Sequence, residues 1–251
     1  MNWIKAIRLT TTLRLGVLTL IGFHLGTGVI DGVAWSLAVF VTLGASATMV
    51  LNDWVDRKHD RLKGKDFAYL HEETFLVFAL VLWELTVLLS FYVWYLGAFY
   101  GVISLTLILI GFFYSYSRHI LALPAVLVAF ASALPTLLPL AQGTNDISFL
   151  LFLLVFFFVL GREILKDMDD PHDKGYKRTL PVALGFEGAK KIVAALFVVV
   201  LTVLFFLPPW VLFGVPAVGY TVWILLDNRD HWFAKRLMDY NTLLVLALLF
   251  L

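Results

Sequence analysis

Apolar residues run through this chain in long blocks. Each is of the order an α-helix needs to cross a hydrocarbon core of about 30 Å. Nine blocks can be marked: Leu13–Ile30, Ala34–Leu51, Phe75–Leu96, Phe99–Tyr116, Ile120–Ala141, Ile147–Leu160, Ile192–Leu207, Trp210–Leu226 and Phe233–Leu251. Their residues are apolar on all faces, without the alternation of polar and apolar positions that a membrane β-barrel strand carries. The expected fold is therefore all-α and integral to a membrane, with nine transmembrane helices. The joints at Gly97–Ala98 and Pro208–Pro209 are short, so they are the tightest of the expected turns.

The charges between the blocks test that division. If the N-terminus is cytoplasmic, the inner connections should hold the Lys and Arg residues. All 19 fall there. They cluster at the N-terminal end (Lys5, Arg8, Arg14), between the second and third blocks (Arg57 to Lys65), at Arg118, from Arg162 to Lys191, and from Arg229 to Arg236. The outer connections hold none, which places the N-terminus and both charged clusters at the cytoplasmic face.

Composition agrees with that picture: 61% of the 251 residues are hydrophobic, 15% are charged, and the mean hydropathy is +0.90. An ordinary soluble domain is excluded. There is no cysteine, so neither disulfides nor thiolate metal sites enter the chemistry. Lys5 and Arg8 precede an apolar run long enough to span, and no small-residue cleavage site follows, so no cleavable signal is expected. With a formal net charge of +1, a nucleic-acid partner is not expected either.

Two acid clusters interrupt the apolar pattern: NDWVDRKHD, residues 52–60, ends the second block, and REILKDMDDPHDKGYKRTLPVALG, residues 162–185, follows the sixth. They stand four helices apart at the same membrane face. Residues 1–251 then read as one transmembrane domain of two four-helix halves plus a final helix, with the motifs facing each other across a central cavity. On a helix Asp53, Asp56 and Asp60 share a face at i, i+3 and i+7, with Asn52 at i−4 from Asp56. Asp167 and Asp170 repeat the i, i+3 spacing, Asp169 points away from them, and Asp173 extends the series. Pro171 biases Asp170 away from helical geometry, so the helix is expected to end there.

Five or six carboxylates at a membrane boundary require a cation, since ionisable groups there are costly to desolvate. Hard oxygen ligands at this spacing favour Mg2+, which commonly binds through one or two carboxylates plus substrate phosphates. Lys166, Lys174, Lys177, Arg178 and Arg118 are placed to hold a diphosphate. A metal, a diphosphate and an apolar cavity together imply a substrate with a charged head and a hydrocarbon tail, the form of a polyprenyl diphosphate.

NDWVDRKHD resembles the NDxxDxxxD motif of the UbiA-type intramembrane prenyltransferases. REILKDMDD with KRTLPVALG is similar to their second aspartate motif, particularly in the archaeal branch that includes digeranylgeranylglyceryl phosphate synthase and in the menaquinone and chlorophyll branches. The resemblance implies that Asp53, Asp56, Asp60, Asp167, Asp170 and Asp173 hold two Mg2+ ions, with Asn52 as a polar contact. It also implies that Tyr114 and Arg118, in YSYSR, stand near the diphosphate, and that Arg8 does so where relatives often carry Arg-Pro-x-Asn. Asp53, Asp56, Asp167, Asp170 and Tyr114 are then the catalytic candidates, and Asn52, Arg8, Arg118, Lys166, Lys174, Lys177 and Arg178 the diphosphate contacts. The implied reaction transfers a polyprenyl group from its diphosphate to an aromatic or lipid-like acceptor through an allylic carbocation. This chain departs from the family at Thr10 to Thr12, in DRLKGKDFAYLHEE after the first motif, and in LALPAVLV where relatives often carry Gly-Asn. Those departures touch the acceptor side more than the metal ligands.

Two other functions compete. A terpene synthase of the same scaffold would ionise the diphosphate without an acceptor. A transporter would string polar residues along a pathway, whereas these acids gather at one face. Glu84, in the middle of the third block, is an intramembrane acid and so either a functional group or a protonated packing residue. His24 reads as a hydrogen-bonded interior residue, Phe156 to Phe158 as packing with one ring available to line a prenyl tunnel, and Trp3, Trp210 and Trp232 as interface anchors.

Overall fold

Proline, glycine and hydroxyl residues divide the apolar blocks into helices in ways that hydropathy alone does not. The computed structural model describes residues 3–64, 66–117, 120–143, 146–168 and 178–226, together with Leu237 and Tyr240. Among them every regular element is helical: α1 (Trp3–Ala6), α2 (Leu9–Thr27), α3 (Gly32–Leu62), α4 (Phe67–Leu70), α5 (Glu72–Leu96), α6 (Ala98–Tyr116), α7 (Leu123–Ala133), α8 (Ile147–Met168), α9 (Leu180–Leu204) and α10 (Val215–Leu226). Stretches of 3-10 helix at Leu134–Gln142 and Pro209–Gly214 follow α7 and precede α10.

Six of these segments are long and apolar enough to cross a membrane: α2, α3, α5, α6, α8, and α7 taken with its 3-10 continuation. The first six expected spans each find their counterpart there. The seventh begins twelve residues before Ile192, because Pro181 opens α9 in its first turn and Gly185, at φ 74°, breaks the helix before it continues. Such a φ is open to glycine at little cost. The eighth is divided between 3-10 helix and α10, and the ninth, Phe233–Leu251, lies outside the described residues apart from Leu237 and Tyr240. Pro135 and Pro139 lack the N–H that an α-helical ladder needs, and the chain tightens to 3-10 helix where they stand.

Ser and Thr side chains inside the helices mostly bond their own backbone. Thr19, Thr42, Ser46, Thr48, Thr86 and Thr221 each donate to the carbonyl four residues earlier. Helix association therefore rests on close packing, as expected where lipid replaces water. At Gly16 an added Cβ would stand 2.3 Å from Thr42 Oγ1 and 3.1 Å from the Ala38 carbonyl, and at Gly111 it would stand 2.5 Å from Thr48 Oγ1 and 2.8 Å from Trp83. These two glycines let α2 and α6 lie against α3.

α3 packs on α2, α5 and α6, while α8 packs on α7 and α9. The 3-10 segment after α7 touches α2, α6 and α8, joining the two groups. One apolar core is built around α8, α9 and α10, with Leu151, Ile164, Phe197 and Leu204 buried. A second surrounds Phe23, Leu37, Phe40 and Leu138, and a third, around Val50, Phe75, Ala79 and Trp83, reaches α1. Trp3 of α1 stacks its edge against Phe67 and Phe78 and also meets Phe75 and His71. α1 is thereby pinned across the end of the bundle that carries the first acid motif.

Candidate active site

The first motif extends well past the apolar block that precedes it. α3 continues as one helix through Leu62, eleven residues beyond Leu51, so Asp53, Asp56 and Asp60 do share a face. Asn52, Asp53 and Asp56 are buried, and Asp60 is half-buried. Asn52 Nδ2 donates to Asp56 Oδ2 at 3.3 Å, the i, i+4 contact expected from the spacing. Asp53 is held from another element: Arg8 Nη2 donates to its Oδ1 at 2.7 Å.

Arg8 reaches that carboxylate because the chain turns sharply there. It joins α1 to α2 with φ 49° and ψ 48°, a left-handed conformation in which a non-glycine residue is strained. Strained residues of this kind gather at sites where surrounding contacts hold them. Here the aromatic packing of α1 on one side and the Asp53 pair on the other supply those contacts.

The second motif rides on the end of α8. Glu163, which the motif comparison passed over, is buried between two cations: Lys166 Nζ at 2.9 Å and Arg162 Nη1 at 3.0 Å. Asp167 follows one turn later, half-buried. The sequence held a signal for Glu163, since residues 163, 167 and 170 fall at i, i+4 and i+7, a stripe comparable to that of residues 53, 56 and 60. Tyr114, at the end of α6, lies within electrostatic reach of Lys166, Glu163, Arg8 and Asp167. Arg8 in turn acts on Glu163. The structure thus brings Arg8, Asp53, Tyr114, Glu163, Lys166 and Asp167 to one end of the bundle.

Arg178 is exposed, and its carbonyl accepts from the Ala122 N–H at 3.0 Å. That bond ties the chain after the second motif to the turn after α6. Asp169, Asp170, Asp173, Lys174, Lys177 and Arg118 lie outside the described residues. Among the described residues no three His, Asp or Glu side chains are gathered closely enough to hold a metal ion. The donor set nonetheless fits a hard divalent cation, since it consists of carboxylate and amide oxygens.

A cavity of about 270 Å³ opens beside these groups. Arg8, Arg14, Arg162, Glu163, Lys166 and Tyr114 line its charged part, and Leu18, Leu154, Phe158, Val200, Leu204 and Val218 its apolar walls. Phe158, of the phenylalanine run, is thus the ring that faces the cavity. A narrower cavity of about 90 Å³ lies between α3, α5, α6 and α7. The two share Leu15, Met49, Tyr114, Val128 and Ser132, where they meet. Glu84 lines neither cavity and sits exposed on the outward face of α5.

Residues 15–243 match the UbiA prenyltransferase family. No curated protein sequence gives a significant match. Several solved structures share the fold. A UbiA homologue from Aeropyrum pernix K1 aligns with TM-score 0.77 at 14% identity, covering 96% of each chain. A structure of digeranylgeranylglyceryl phosphate synthase aligns with TM-score 0.74 at 18% identity, over 98% of this chain and 95% of the other. A UbiA homologue from Archaeoglobus fulgidus, bound to GPP and Mg2+, aligns with TM-score 0.71 at 16% identity, over 98% and 97%.

Proposed function

This chain belongs to the UbiA prenyltransferase family, and we propose that it is a Mg2+-dependent membrane enzyme that moves a polyprenyl group from its diphosphate to an aromatic or lipid-like acceptor. One observation carries the reading: the cations Arg8, Arg162 and Lys166 line one part of a cavity whose other walls are largely apolar, and Arg8 joins that cavity to the buried Asp53 of the first motif. An amphipathic diphosphate is the ligand with that distribution of charge. The Archaeoglobus fulgidus homologue, solved with GPP or DMAPP and Mg2+, supports the same class of ligand.

Asp53, Asp56 and Asp60, with Asp167, Asp170 and Asp173, are the residues that would hold the metal, as two ions. Bound there, Mg2+ supplies Lewis-acid stabilisation of the charge that develops on the leaving diphosphate. Arg8, Lys166, Arg178 and the motif cations Arg118, Lys174 and Lys177 hold the diphosphate oxygens, with Asn52 fixing Asp56. The bond between the prenyl C1 and the diphosphate oxygen breaks, leaving an allylic cation, and the acceptor's nucleophilic atom bonds to C1 as its proton departs. Tyr114 lines both cavities where they meet, beside the groups that would hold the diphosphate. The apolar walls around Leu154, Phe158 and Leu204 exclude water from the cation.

The wider architecture goes with this reading: one domain over residues 1–251, nine spans in two four-helix halves plus a last helix around the cavity, and the acid motifs on the cytoplasmic side. The distribution of all 19 basic residues supports that orientation.

The test is diphosphate release by purified protein given geranylgeranyl diphosphate, with Mg2+ or with EDTA, and with or without a membrane lipid extract. Release that needs both Mg2+ and the extract is the expected result. Release without the extract, accompanied by a hydrocarbon or alcohol product, would make the protein a terpene synthase instead. No release and no binding under any of these conditions would sink the reading.

A further inference from the structure

Among the described residues no carboxylate meets Arg14, a cation within a membrane-spanning helix. It stands in the second turn of α2, six residues past Arg8 and so about 9 Å further along the helix axis. The other cations of the larger cavity are engaged: Arg8 with Asp53, and Arg162 and Lys166 with Glu163. Arg14 is half-buried, lines the same cavity, and makes no hydrogen bond or ion pair among the described residues. Ionisable residues in a spanning segment are costly, so they are ordinarily paired and mark functional sites. A charge left without a protein partner calls for one from a ligand.

Its neighbours on α2 form the rest of a seat. Thr11, Arg14, Leu15 and Leu18 all line the cavity, the i, i+3, i+4, i+7 stripe of one helix face. The Thr11 hydroxyl makes no hydrogen bond among the described residues either, and it stands one turn from Arg14 on the side of Arg8. A guanidinium offers donors only, and with Thr11 it can close on an oxyanion. Beyond the pair the stripe turns apolar at Leu15 and Leu18, with Leu154 and Leu204 on the wall of the same cavity. The seat therefore has one charged end and an apolar continuation.

The donor does not supply that oxyanion. In the reading above its diphosphate is held by Arg8, Lys166 and the acid motifs, and its tail is uncharged. We propose that Arg14, with Thr11, binds an anionic group on the acceptor, a carboxylate or a phosphate, and so determines which acceptors this chain takes. This rests on the prenyl transfer proposed above. A planar guanidinium fork matches either group through two parallel hydrogen bonds. The cavity of about 270 Å³ exceeds the about 150 Å³ that encloses a benzene ring, so an aromatic acid and one end of a lipid phosphate both fit. Arg14 is thereby a specificity residue, separate from the metal and diphosphate contacts.

The experiment is calorimetry in detergent on the wild type, Arg14→Gln and Arg14→Lys, with the donor site filled by the slowly ionising analogue geranylgeranyl S-thiolodiphosphate and Mg2+. Two matched pairs of probes are titrated: benzoate with benzyl alcohol, and 1-oleoylglycerol 3-phosphate with 1-oleoylglycerol. In at least one pair the anion should bind the wild type about tenfold or more tighter than its neutral partner, and Arg14→Gln should bring the two within about twofold. Arg14→Lys, which keeps the charge without the fork, should fall between. The pair that responds tells an aromatic acid from a lipid phosphate. No preference for either anion in the wild type, or a preference that Arg14→Gln leaves intact, would overturn the assignment. So would a loss of the donor analogue in Arg14→Gln, which would return Arg14 to the diphosphate contacts. Removing a charge from a spanning segment lowers its cost, and Arg14→Lys carries the comparison if the glutamine variant does not fold. Failure of the wild type to bind the donor analogue at all would instead remove the proposed prenyl transfer on which the seat depends.

Discussion

Arg8 Nη2 meets Asp53 Oδ1 at 2.7 Å, joining residues 45 positions apart. The pair sets the start of α2 against the first acid motif, and it is made from a residue whose backbone is left-handed at φ 49°. Side chain and backbone therefore make opposite demands at this position: the guanidinium is useful and the conformation favours glycine.

Arg8→Gly separates the two. Relief of the strained conformation, about 1 kcal/mol, offsets an ion pair that is half-exposed on the arginine side and so contributes about 0–1 kcal/mol. Thermal unfolding in detergent should change little. Prenyl diphosphate turnover should fall roughly 10- to 100-fold, the value of one charge-assisted hydrogen bond to the substrate. A large drop in stability with unchanged turnover would show that Arg8 is only a structural strut.

Asp56→Asn keeps the shape of a buried residue and removes its charge. If the acid face holds Mg2+, the variant should lose several kcal/mol of transition-state stabilisation, about 100- to 1000-fold in Mg2+-dependent diphosphate release. The same change at the half-buried Asp60 should cost less. Full turnover in Asp56→Asn and in Asp53→Asn would remove the metal assignment.

Glu163 is the acid between Arg162 and Lys166, and its burial makes the carboxylate more than a surface partner. Glu163→Gln leaves two cations facing an amide, and should lower stability by about 1–3 kcal/mol. Raising the salt concentration should narrow the gap to wild type, because the repulsion exposed by the change is screened. Unfolding curves at low and high salt check both statements.

Gly16→Ala forces a methyl into Thr42 and should destabilise the α2/α3 pair by about 1–3 kcal/mol. Adding Thr42→Ala removes the 2.3 Å collision but leaves the Ala38 carbonyl at 3.1 Å. The double variant should therefore recover most of the loss, with a coupling between the two positions. Simple additivity of the two single changes would mean that this contact does not limit helix approach.

A chain without cysteine offers a clean test of orientation. Cysteine placed at Lys63, after α3, should react with an impermeant maleimide only in inverted vesicles, and cysteine at Gly143, before α8, only in right-side-out ones. The reverse pattern would turn both acid motifs to the opposite side.

By itself the sequence determined the class of protein, the positions of the apolar spans through α8, and the shared helical face of the first motif's acids. Hydropathy over about 20 residues is a local property, and the i, i+3, i+7 spacing of Asp53, Asp56 and Asp60 fixes a face once the segment is helical. Where the helices break was less legible: the 3-10 turn at Pro135 and Pro139 and the kink at Gly185 lie inside apolar runs that hydropathy reads as continuous. Tertiary structure decided the rest, because those facts depend on distant elements. Arg8 reaches Asp53 only through the left-handed turn between α1 and α2, and Glu163 becomes a buried site residue only when α8 is packed among α2, α7 and α9. The cavities beside α3 exist only because separate helices pack around them, and no pattern along a single segment encodes the width of a space between segments.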